Sequence, residues 1–257
     1  MAIKRDIVFN NRALSSFGFL PLVTSTFVDF PNRQAQEKKI DGSVVGSVIN
    51  DKGSYGNVTR DFSFRSVPSK VPYETETEFI KAFIDWSGDH RAQYGELYDT
   101  TRRGYYCNAF IKDISNLTRN FEKCFDVTIT FSCQPYWYLE SGQNAITSSG
   151  TGTQTITLIN PEKYTAYPYI KVKPESSDMQ GFSISANNIT MTASKTGSYL
   201  EFDSEIMNVF RGTEPKNYLI SGSRFIKFTP GENTLTFVPV DTTINWDIEV
   251  IPRWRCL

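Results

Sequence analysis

The chain has 257 residues, 39% of them hydrophobic, with 19 Phe, 13 Tyr and 4 Trp, which is enough large apolar surface for more than one core and argues against disorder. Its 27 Lys and Arg balance 28 Asp and Glu, removing any net pull toward nucleic acid or an anionic membrane, and its single His leaves few general-base or zinc mechanisms open. The charges within residues 1–6 interrupt any secretory signal, and no stretch approaches the roughly 20 apolar residues of a membrane helix, so a chain made and kept in a cytoplasm is expected.

In chain order, residues 6–11 predict a short strand and a turn, and residues 14–22 a second strand interrupted at Gly18. After residues 27–29 comes a polar run, 31–39, and then a stretch to residue 56 punctuated by Gly42, Gly46, Gly53 and Gly56. This pattern predicts a long exposed hairpin or arm; a mobile surface loop is the plain alternative. Val58, Arg60, Phe62 and Phe64 alternate with Thr59, Asp61, Ser63 and Arg65, the period of a strand.

The period then changes. Thr75 and Glu78 have capping-box spacing, Phe79, Ala82, Phe83 and Trp86 share one helical face, and Gly88 offers a stop, so a helix is predicted over residues 76–87. Strands follow at 95–98, 105–112 and 122–133, with a hairpin turn at 116–120. In the last strand Lys123, Phe125, Val127, Ile129, Phe131 and Cys133 oppose Cys124, Asp126, Thr128, Thr130 and Ser132, and a one-residue slip would put the phenylalanines in water.

Residues 140–153 lack aromatics and are rich in Ser, Thr and Gly, marking a domain boundary or linker. Two domains are therefore expected, 1–139 and 140–257. Short strands recur beyond it, at 154–159, 169–174, 182–186, 189–193, 199–203, 225–228, 234–239 and 245–251, with Asn187-Asn188 as the tightest turn. The fold class expected is all-β with one α-helix, in two β-sandwich domains, the second of jelly-roll type.

Signs of catalysis are weak. His90 follows the helix end, where an imidazolium would sit favourably on the dipole. Asp203 with Glu205, and Asp247 with Glu249, have the spacing of paired carboxylates, but the solvent face of a strand has the same pattern. Neither a Gly-rich phosphate loop nor a CxxC pair occurs, so no cofactor and no metal are expected, and no catalytic residue is assigned. Cys107, Cys124, Cys133 and Cys256 are expected as reduced thiols, a Cys107–Cys124 bridge being the alternative. Trp137, Trp246 and Trp254 would stack on sugars if exposed and otherwise fill cores.

The order of several segments resembles the distal tail protein family, or tail hub family, of siphophages infecting Gram-positive bacteria. These are Ser15-Ser16-Phe17-Gly18-Phe19 followed by an arm and a capped helix; Leu97-Tyr98-Asp99 leading into Tyr105-Tyr106-Cys107-Asn108-Ala109-Phe110-Ile111; residues 125–136 with their Cys133-Gln134-Pro135-Tyr136 ending; residues 199–203 and 230–235; and the closing Pro252-Arg253-Trp254-Arg255. The resemblance implies a ring-forming N-terminal domain with a projecting hairpin, a galectin-like C-terminal domain, and a non-enzymatic hub of the virion tail tip or baseplate. It further implies a homohexamer whose partners are the tail tube protein, a tail-tip or tail-associated lysin protein, and receptor-binding proteins. A six-fold ring needs two different complementary patches on each subunit. The arm is the candidate for one, through Arg33, Gln34, Glu37, Lys38, Lys39 and Asp41. A lectin-like cell-wall binder and a glycoside hydrolase are the alternatives.

Overall fold

The computed structural model describes residues 5–22, 30–39, 47–89, 93–175, 180–222 and 224–257. His90 and Asp41, singled out above, lie outside these. The architecture is all-β with one α-helix among the described residues, and the chain divides into two units, one running to Trp137 and including Leu257, the other Tyr138–Cys256.

In the first unit a single hydrogen-bonded path runs through Arg12–Ala13, Ile7–Phe9, Gly95–Asp99, Tyr105–Ile114, Cys124–Cys133, Val58–Ser66 and Phe19–Pro21. Its centre is the antiparallel pairing of Cys124–Cys133 with Val58–Ser66, where Phe131 faces Arg60, Ile129 faces Phe62 and Val127 faces Phe64. The expected alternation holds in Val58–Ser66 and from Phe125 to Cys133, but Cys124, expected on the opposite face, is buried because a bulge between Cys124 and Phe125 lets two successive residues point inward, and Lys123 lies in the turn. The expected turn at 116–120 is instead part of a strand, Thr118–Phe121, which folds back on Cys124–Asp126; the tight turn lies at Lys123, whose φ is 54°.

The helix spans Glu76–Asp89, so Gly88 is its last turn and not its stop. Its start is the expected capping box: Glu78 N–H donates to Thr75 Oγ1 at 3.3 Å and Thr75 N–H to Glu78 Oε2 at 3.3 Å. The helix lays Phe79, Phe83 and Trp86, all buried, on the sheet. Phe79 stacks on Phe125 at 5.1 Å, Phe83 meets Phe17 edge-on at 5.8 Å, and Phe17 lies 5.5 Å from Trp86. Each such ring contributes about 2 kcal/mol by leaving water, so the aromatic layer dominates this unit's stability. Gly18 is required where it sits, because its φ is 84° and a Cβ there would lie 2.8 Å from the Val71 backbone.

The second unit is a sandwich. One sheet has the order Ile146–Thr151, Asn245–Ile251, Tyr169–Pro174, Leu200–Asp203, Asn208–Arg211, Glu214–Pro215; the other Gln154–Asn160, Gly231–Pro239, Phe182–Ala186, Ile189–Ala193, Ile220–Ser221. Between them lie Ile170, Val172, Phe182, Ile184, Phe202, Phe237 and Trp246, with Phe237 and Trp246 rings 5.2 Å apart. Asn187 and Asn188 form the tight turn with φ of 51° and 63°. Two expectations differ. Residues 146–151, read as linker, form an edge strand paired along its length with Asn245–Ile251, and residues 225–228 make no strand, only a bridge between Phe228 and Ala166.

Candidate functional site

The arm is a two-stranded ribbon, Arg33–Lys39 against Ser47–Tyr55, belonging to none of the three larger sheets. Two-stranded ribbons are marginal in water unless one face packs on something. Every residue from Arg33 to Lys39 is exposed.

Its base is well tied. Arg33 donates from Nε to Asp51 Oδ2 at 2.7 Å and makes a second bond there from Nη2, and its Nη1 donates to Tyr55 Oη at 2.9 Å. The hydrogen bond to Asp51 raises the Arg33 pKa, and Arg33 in turn lowers that of Asp51, so both stay charged. Gly53 N–H donates to Asp51 Oδ1 at 2.9 Å, Gly56 N–H to the Asn32 carbonyl at 2.9 Å, and Tyr55 meets Tyr136 edge-on at 6.1 Å. A bulge between Arg33 and Ala35 separates this base from the distal ribbon.

The distal ribbon pairs Glu37 with Ile49 and Lys39 with Ser47 on one face, and Gln36 with Asn50 on the other. Among the described residues Glu37, Lys38 and Lys39 make no ion pair. Ile49 is 65% exposed and Phe30, just before the arm, 84%. The candidate residues thus separate by role: Arg33 pins the arm internally, Gln34 sits at the bulge, and Glu37, Lys38 and Lys39 face solvent. Sequence reading weighed the charges and passed over Ile49 and Phe30, although a large apolar residue inside a polar, Gly-punctuated run is itself a signal.

The first carboxylate pair is engaged by arginines. Asp203 receives both Arg253 Nη1 at 2.8 Å and Nη2 at 3.0 Å, while Glu205 accepts from the Tyr138 hydroxyl and lies 3.6 Å from Arg255. Burial, then the Glu205 charge, push the Tyr138 phenol well above its ordinary pKa. Asp247 accepts from Ser149 Oγ at 2.6 Å on the outer sheet face. A general acid must reach the scissile bond, and at Asp203 and Glu205 the carboxylate oxygens are taken up by guanidinium and phenol partners.

The tryptophans offer no sugar platform: Trp137, Trp246 and Trp254 are 6%, 0% and 6% exposed. Trp137 is flanked by the guanidinium groups of Arg60 and Arg102, each 4.7 Å from its ring. None of the four cysteines is in a disulfide, and the buried neighbour of Cys107 is Cys133, not Cys124. Among the described residues no group of three His, Cys, Asp or Glu side chains could hold a metal, and no helix is long and apolar enough to cross a membrane.

No protein-family model matches the chain, and no curated protein matches its sequence. Solved structures do. The chain is similar to the crystal structure of SPP1 Dit (gp 19.1), described as a paradigm of the hub adsorption apparatus in phages infecting Gram-positive bacteria, with a TM-score of 0.65 at 13% identity, covering 98% of this chain and 99% of that one. The fold is therefore shared from end to end with a protein of the family that the motif order resembles.

Proposed function

We propose that this protein is the structural hub of a phage tail tip or baseplate: a non-enzymatic hexameric ring that joins the tail tube to the tail-tip protein and anchors receptor-binding proteins. Its fold over both units is that of a hub protein, and the observation that carries the reading to this chain is the arm. Tied at Arg33 and Asp51 but exposed from Arg33 to Lys39, it pairs with no other strand among the described residues and presents Phe30 and Ile49 to water. Such an element gains its packing from a neighbouring chain, and six identical head-to-tail contacts of that kind close a ring.

In a ring of this kind Glu37 pairs with a basic residue, and Lys38 and Lys39 with acidic residues, of the adjacent subunit, while burying Phe30 and Ile49 supplies on the order of 2 kcal/mol each. The galectin-like second unit, with its tryptophans inside, serves as a docking platform. The test is the solution mass by light scattering with negative-stain images of the same sample. A hexamer seen as a six-fold ring with a central channel is expected; a compact monomer at every concentration that also binds glycans would favour the lectin-like alternative.

A further inference from the structure

The sheets of this chain end in two kinds of edge. The path through the first unit closes on Arg12–Ala13 and Phe19–Pro21, two and three residues long. In the second unit one edge of the six-stranded sheet is Glu214–Pro215 and one edge of the five-stranded sheet is Ile220–Ser221, each of two residues. Shortness, charge and proline are the usual means of stopping an edge strand from pairing with another chain.

The opposite edges of both sandwich sheets carry none of these. They are Ile146–Thr151 and Gln154–Asn160, successive strands joined by residues 152–153 and so placed on the same side of the sandwich. The first pairs with Asn245–Ile251 over all six of its residues and the second with Gly231–Pro239 over all seven, each in unbroken register. Residues 141–161 include no charged side chain, and neither strand contains proline. In an antiparallel edge strand every second residue turns its N–H and C=O away from the partner. Among the described residues Gln154–Asn160 pairs with no strand other than Gly231–Pro239, so those groups form a row open to an added strand. Thr155, Thr157 and Ile159 stand exposed on the outer face, while Ile156 and Leu158 enter the core.

We propose that Gln154–Asn160 receives an extended, uncharged segment of a different protein, which joins the five-stranded sheet as a sixth strand. A row of free backbone donors and acceptors recognises another extended backbone, and an uncharged edge offers a charged segment no counter-charge. Valine, isoleucine and threonine suit the half-exposed positions beside Thr155, Thr157 and Ile159. Area decides against a second folded copy. Seven residues at about 3.4 Å each, along an edge about 10 Å deep, present roughly 240 Å². A stable pair of folded bodies buries about 800 Å² on each partner. A single strand needs less, because its main chain fills the hydrogen-bonding row and it brings no bulky body to hold in place. The inference supplies the chemistry of the docking role proposed for the second unit and rests on that reading for its partner, but its test needs no ring.

Hydrogen exchange of the full chain, read by mass spectrometry over residues 154–160, tests it. The probe is a soluble peptide of alternating valine and threonine, as long as the strand and with a lysine at each end; the control is the same peptide N-methylated throughout, which has no N–H to donate. Without peptide the open amides of Gln154–Asn160 should exchange quickly, and at millimolar peptide they should slow on the order of tenfold. The N-methylated peptide should slow nothing, and Ile159→Lys, at a position 69% exposed, should weaken the effect by setting like charge beside the peptide. No slowing, slowing that the N-methylated peptide reproduces, or slowing that Ile159→Lys leaves unchanged overturns the proposal. Slowing that appears without peptide as the protein is concentrated would hand the edge to a second copy and overturns it too. Hexamers that ignore the peptide would defeat this inference and leave the hub, whereas monomers that take the peptide would do the reverse.

Discussion

Arg253 holds Asp203 through two parallel hydrogen bonds, 2.8 and 3.0 Å, from a backbone whose φ is 56°, a left-handed conformation that an arginine seldom adopts. The Asp203 carboxylate also accepts the Glu205 N–H at 3.0 Å, so one buried group ties the 203–208 hairpin to the closing segment of the chain. The spacing of Asp203 and Glu205 suggests paired catalytic acids; the arginines that neutralise them lie some fifty residues on.

Asp203→Ala should therefore cost stability, not activity. It leaves a mostly buried guanidinium with only the longer 3.5 Å contact to Glu205, a cost of about 2 kcal/mol after allowing for partial exposure. Denaturant unfolding of the purified protein should show the second unit melting earlier. Unchanged stability together with loss of a glycan-cleaving activity would reverse the assignment.

The capping box gives a second expectation. Thr75→Ala removes the hydroxyl that receives the Glu78 N–H and should lower stability by about 1 kcal/mol, and Thr75→Ser should restore it. Thermal unfolding followed at the aromatic near-ultraviolet signal reads this, because the helix carries Phe79, Phe83 and Trp86 into the aromatic layer.

Acid sensitivity follows from Glu76 and Asp126. The Lys123 N–H and then Arg119 hold the Glu76 pKa below its ordinary value of 4.5, and Arg65 holds Asp126 below 3.8. A carboxylate lowered on folding contributes stability above its unfolded pKa and loses it as pH falls through the folded one. Stability should thus decline below about pH 4.5. Glu76→Gln should flatten the upper part of that decline in pH-dependent unfolding, whereas an unaltered slope would remove Glu76 from the account.

The thiols should differ in reactivity. Cys107 is pushed well above the ordinary thiol pKa by its hydrogen bond with Cys133 and by burial, and Cys124 and Cys133 are also buried, whereas Cys256 is partly exposed. Alkylation of the native protein followed by mass spectrometry should label Cys256 first and the other three only on unfolding. Rapid native labelling of Cys107 would contradict the packing described.

Much of this fold was legible because it is written in period. The Cys124–Cys133 and Val58–Ser66 strands declare their buried faces by alternation, and the helix by its cap and the spacing of Phe79, Phe83 and Trp86. What was hidden is pairing at a distance. Residues 146–151 have the composition of a linker, and only their bonds to Asn245–Ile251 make them a strand. Thr118–Phe121 is exposed throughout, so it carries no alternation to read. The arm was legible as a projection from its glycines and charges, but its pin was not: Arg33 meets Asp51 across a bulge that no local pattern announces.

The central claim is that the arm makes the assembly, and the most direct test compares the wild type with a chain lacking residues 34–39. The deletion leaves Arg33, Asp51 and both units' cores in place. Light scattering of the two proteins at equal concentration should find hexamers for the wild type and folded monomers for the deletion, with circular dichroism nearly unchanged. Hexamers that persist without residues 34–39 would contradict the account.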